Sequence, residues 1–154
     1  MPINTSPTFG RNPIHWQAEL NSQVLGPGGG SIGPTSPVLL GVAGNYGAVL
    51  PSIMVQATGT IATANILHIF TLADGDTEVH LILNLALPTA ASAAALAANY
   101  PVSVALPPTI AYYSGATLLE VAPNESLYVA LNAAEPTNSF VINAWGKDYD
   151  ATEL

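Results

Sequence analysis

The sequence predicts an all-β fold: an antiparallel β-sandwich, jelly-roll-like, with an extended N-terminal arm. Three observations predict it. From residue 38 onward, apolar residues come in short runs or strict alternation of strand length, broken by Gly, Asn, Asp and Pro. Strands and helical patterns do not alternate, so a parallel α/β sheet is not expected. Six of the 13 prolines, Pro2, Pro7, Pro13, Pro27, Pro34 and Pro37, fall in the first 37 residues. The predicted division is therefore an arm over residues 1–37 and a sandwich over 38–154.

The arm also holds the run Gly26-Pro27-Gly28-Gly29-Gly30. Proline removes backbone donors and glycine weakens regular elements, so neither a helix nor a central strand fits there. Yet Phe9, Ile14, Trp16, Leu20, Val24 and Leu25 are spaced along it, with Arg11 its only cation. Such anchors predict an arm that lies on something, either its own domain or an adjacent subunit. The stretch from His15 to Leu25 suits a strand added to a sheet edge.

In the sandwich, Val38–Val42 leads into the turn Gly44-Asn45-Tyr46-Gly47. Ser52–Gly59 places Ile53, Val55 and Ala57 on one face, the period of a half-buried strand. Asn65–Leu72 is apolar on both faces. Asp74-Gly75 between that run and Glu78–Leu85 is a hairpin signal. The alanine-rich stretch 89–98 has high helix propensity but no apolar stripe, so it is read as a short helix or packed loop. Strands over Tyr100–Leu106, Thr117–Val121 and Leu127–Leu131 precede a closing strand at Ser139–Gly146. That makes about eight strands, at the spacing of a sandwich or jelly roll.

Charge is the unusual quantity. Charged residues make up 8% of the chain, against roughly a quarter in an ordinary soluble domain. Two are basic, Arg11 and Lys147, against ten acids, for a net charge of −8. A surface so short of charge points to burial by neighbours. Two cations cannot neutralise a run of phosphates, so nucleic acid is not an expected partner, and an anionic membrane is excluded on the same ground. The chain has no apolar run of the ~20 residues that span a bilayer. Its first residues lack the basic start and apolar stretch of a signal peptide, so neither export nor anchoring is expected. With no cysteine there is no disulfide, thiolate ligand or thiol nucleophile.

No chemistry-bearing constellation emerges. Counting back from the Asp74-Gly75 turn places His68 opposite His80, but a metal site needs a third ligand and a supporting shell. His15 reads as a contact residue beside Trp16. Asp74-x-Asp76-x-Glu78 has alternate carboxylates but too few ligands for calcium, and reads as a turn. No serine sits in Gly-x-Ser-x-Gly, and Gly28-Gly29-Gly30 lacks the strand and lysine of a phosphate loop. Neither an enzyme nor a cofactor is expected.

One resemblance adds to this reading. The order Gly44-x-x-Gly47, then Ser52-Ile53-x-Val55-x-Ala57-x-Gly59-Thr60, resembles small structural proteins from the virion gene clusters of tailed bacteriophages. So does the later order: Leu67-x-Ile69-Phe70, an acidic turn, an Ala/Pro-rich connection, and Val141-Ile142-x-Ala144-x-Gly146-x-Asp148-Tyr149. The likeness spans about residues 38–150 and rests on pattern, not on an invariant motif; the arm departs from it. It implies a virion structural protein, foremost a capsid cement (decoration) protein on the outer capsid surface. Such a protein is a homo-oligomer, commonly a trimer, and clamps neighbouring major capsid protein subunits. A tail, baseplate or fibre component is the nearest alternative, and a glycan- or receptor-binding module a more distant one.

Overall fold

The computed structural model describes residues 12–90, 102–103 and 119–149. Among these residues the fold is all-β, with ten strands in two antiparallel sheets. In chain order they are β1 (Asn12–Leu20), β2 (Gly30–Ser31), β3 (Val38–Val42), β4 (Ala48–Ala57) and β5 (Asn65–Leu72). Then follow β6 (Glu78–Leu87), β7 (Val102–Ser103), β8 (Leu119–Val121), β9 (Ser126–Leu131) and β10 (Phe140–Asp148). The first sheet runs β1-β10-β4, with β7 and β8 sharing the far side of β4; the second runs β2-β6-β5-β9-β3. Among the described strands only β5 and β6 are both consecutive and paired, and most other links cross from one sheet to the other. This order is compatible with a jelly roll. Residues 91–98 of the alanine-rich stretch lie outside the described residues.

The two sheets bury one main core of complementary sizes. The first sheet contributes alanines (Ala18, Ala48, Ala57 and Ala144) set among large residues that include Leu20, Leu50, Ile53, Phe140 and Ile142. The second answers with Leu67, Ile69, Leu127, Val129 and Leu131. Small groups facing large ones let the sheets approach to interior packing density. Pro51 is tolerated inside β4 because β10 skips past it: the register moves from Trp145↔Ser52 to Lys147↔Val49.

Residues 12–37, grouped with the arm by composition, are built into the sandwich. β1 pairs along its whole length with β10, from Asn12↔Asp148 to Leu20↔Phe140. It forms an edge, and Leu20 is fully buried. Half-buried Trp16 lies over Gly41 of β3, where any Cβ would overlap the indole ring. That contact closes one flank of the sandwich.

The chain then crosses to the outside of the second sheet. Leu131 N donates to the Gln23 carbonyl at 2.8 Å and Leu25 N donates to the Leu131 carbonyl at 3.2 Å, extending β9's edge beyond β3. The tip of the loop pairs Gly30 with Val79 of β6. Ser36 Oγ donates to the Val24 carbonyl at 2.9 Å, tying the two ends of the loop together. Residues 24–36 are thus a compact Ω-type loop. Beneath it lies a second core of Phe70, Leu72, Val79 and Ala130, with Leu25, Leu81 and Tyr128 packed at its margin. A strand apolar on both faces needs two covers, and β5 has them.

The β5–β6 hairpin turns through Ala73–Thr77, with Asp76 N donating to the Ala73 carbonyl at 3.0 Å. Gly75 sits at φ +80°, a left-handed conformation that glycine adopts without strain.

Candidate interaction surface

Of the seven arm residues singled out by sequence, Phe9 and Arg11 lie outside the described residues. Ile14, Trp16 and Leu20 belong to the main core or its margin, and Leu25 to the second core. Val24 stays exposed while its backbone bridges to Leu131.

The histidine register differs from expectation. His68 pairs with Asn84 and His80 with Thr71, so the two histidines do not face each other. The loop is longer than an Asp-Gly two-residue turn, and a bulge opposite Ile69/Phe70 shifts β6 by a further residue. His68 is buried, with Nδ1 2.6 Å from Asn84 Oδ1, and its Nε2 finds no partner among the described residues. His80 is exposed and lies 3.6 Å from Asp76.

The Asp74–Glu78 segment is a turn in the structure. Asp76 Oδ1 accepts from Thr77 N at 2.7 Å and from Glu78 N at 3.4 Å. These two donors, and then His80, hold its carboxyl below the ordinary aspartate value. Among the described residues no group of three or more His, Asp or Glu is placed to hold a metal ion.

Charge is segregated by position. Asp74, Asp76, Glu78, Glu120, Glu125 and Asp148, six of the ten acids, lie at or beside one end of the sandwich. Backbone bonds knit that end: Asn124 N donates to the Gly44 carbonyl at 3.1 Å and Tyr149 N to the Gly47 carbonyl at 3.0 Å. Glu125 receives hydrogen bonds from Thr71 Oγ1 and Ala122 N, so its carboxylate serves the turn.

The outer face of the first sheet is different. His15 of β1 stacks on Trp145 of β10 with ring centroids 4.9 Å apart and planes 2° from parallel. His15 Nε2 also lies 2.8 Å from Asn143 Oδ1. Around this pair stand Gln17, Ser52 and Met54, all uncharged, and charge returns at Glu19 toward one end and at Lys147 and Glu120 toward the other. Trp145 remains 39% exposed. Sequence reading placed His15 beside Trp16; the strand period sends those neighbours to opposite faces, and the outward position of Trp145 in β10 was the signal that could have found the pair.

Comparison with known proteins finds no family model, no curated relative and no solved structure that matches this chain.

Proposed function

We propose that this chain is a non-catalytic structural subunit that works by being built into a larger particle. The observation that carries this reading is the segregation of charge: carboxylates gather at one end, and the long flanks are left almost free of it. Uncharged, partly aromatic flanks are where subunit contacts desolvate at least cost, and an acidic end keeps finished assemblies apart.

The particular assembly rests on the sequence resemblance. It is a tailed-phage capsid, with the chain as a cement protein on the outer surface, clamping adjacent major capsid protein subunits. The shortage of cations favours the outside of the shell, away from packaged DNA.

Cryo-microscopy of particles that carry the chain tests this. Density at capsomer junctions is expected; density confined to the tail overturns the capsid assignment. A truncation gives a second test. Removing residues 1–37 would delete β1 and the loop over the second core, so the informative deletion is residues 1–11. That variant is expected to keep its fold and to leave the particle on washing; undiminished attachment would remove Phe9 and Arg11 from the contact.

A further inference from the structure

We propose that the free edge of β1 pairs, antiparallel and about a two-fold axis near Gln17, with β1 of a second copy of this chain. The inference rests on the assembly reading above and names the self-contact that reading leaves open. It gives a two-fold pair in place of the trimer that the resemblance suggests.

β1 is nine residues long, ends the first sheet, and among the described strands pairs only with β10. Pro13 reveals which backbone groups lie on the open side. In an antiparallel strand the N–H and C=O of one residue point the same way and alternate along the chain. A proline in an edge strand turns its missing donor away from its neighbour. Pro13, His15, Gln17 and Glu19 therefore present their backbone groups outward, and Ile14, Trp16 and Ala18 bond to β10. The stack of His15 on Trp145 agrees, because directly opposed residues outside the hydrogen-bonded pairs bring their side chains closest.

Soluble proteins blunt such edges with lysine, proline or a bulge. Here Pro13 guards one end and Glu19 the other. Between them there is no charge and no break in register with β10.

Electrostatics sets the orientation in which a second copy can occupy this edge. Two chains of charge −8 repel wherever their acidic ends approach. The acidic end lies at the Asn12 end of β1, beside Asp148. Antiparallel pairing about a two-fold axis sends the two acidic ends to opposite extremes of the pair. With Gln17 opposite itself, each Glu19 stands opposite the partner's His15. The two Glu19 residues are then about 13 Å apart along the strands, beyond a Debye length at physiological salt.

The chain lacks cysteine, so Gln17→Cys introduces a single thiol. In a hydrogen-bonded antiparallel pair the Cα atoms lie about 5.5 Å apart, within the span of a disulfide. Oxidised glutathione, which accepts the two electrons as two thiols become one disulfide, is expected to convert Gln17→Cys largely to a crosslinked dimer. Gln56→Cys, on the exposed outer side of β4, should remain uncrosslinked under the same conditions.

Sedimentation equilibrium supplies the complementary measurement. Gln17→Pro removes the outward donor without breaking a bond to β10, and Gln17→Lys sets like charges face to face. Both should keep the wild-type circular dichroism and weaken dimerisation at least about tenfold. A monomeric or trimeric wild type, or Gln17→Cys that crosslinks no better than Gln56→Cys, overturns the proposal. The two readings fail separately: a dimer that never binds a shell keeps this inference and loses the capsid, whereas a shell-bound chain without Gln17 crosslinking does the reverse.

Discussion

The outer faces of the two sheets carry the same requirement and meet it differently. On the second sheet, Phe70, Leu72 and Val79 point outward and are covered by the chain's own loop over residues 24–36. On the first sheet, His15, Gln17, Asn143 and Trp145 point outward and no described segment crosses them. Burial in cis needs an apolar face, because the loop makes few backbone bonds to the sheet and depends on side-chain contact. The open face has instead the mixture of aromatic and neutral polar groups found in surfaces that are wet when alone and covered when assembled. One chain therefore separates a patch closed during folding, over Phe70, Leu72 and Val79, from a face left for later, while Leu39 and Ile66 on the second sheet also stay exposed.

Phe70→Ala should break this contrast most severely. Phe70 is fully buried under the loop, and truncating a buried aromatic costs about 3–5 kcal/mol in a well-packed core. The expected outcome is a large drop in the urea midpoint and faster proteolysis in residues 24–36. A loss below about 1 kcal/mol would show that the loop does not depend on the face beneath it.

Trp145→Ala sharpens the other side. The indole is part-exposed and its main partner is His15, so the loss should stay near the 0.5–1.5 kcal/mol typical of an aromatic pair. A cost matching that of Phe70→Ala would mean the face is closed in the isolated chain, and the distinction between the two sheets would fall.

Much of this architecture was legible in the sequence, and the rest was hidden for identifiable reasons. β4 and β5 were legible because Ile53, Val55 and Ala57 keep a two-residue period and because Asn65–Leu72 is apolar on both sides. The cover over β5 was not legible. Its chain is rich in Pro and Gly, and it engages the sheet through two short backbone pairings, at Leu131 and at Gly30–Ser31, which leave no periodic signature. In β6 the apolar residues Val79, Leu81, Leu83, Leu85 and Leu87 read as one face. The bulge divides them, sending Val79 and Leu81 to the second core and the remainder to the main one. The longer loop, together with this bulge, parts His68 from His80. The outward pair His15–Trp145 spans 130 positions in sequence, and only the β1–β10 register joins it.

The smallest expected effect tests the acidic end and depends on pH. Thr77 N and Glu78 N donate to the exposed Asp76 carboxylate, the leading causes of its lowered pKa, with His80 adding to them. A carboxyl depressed in the folded state stabilises the fold above its unfolded pKa, near 3.9, and that contribution fades as pH falls through the lower folded value. Asp76→Ala should therefore lower the urea midpoint slightly at neutral pH, and the gap from the wild type should narrow as pH falls below the ordinary aspartate value. If the Asp76→Ala gap widens in acid, the turn donors are not what holds this carboxylate. The acidic end would then be only a collection of exposed charges, with no part in shaping the hairpin.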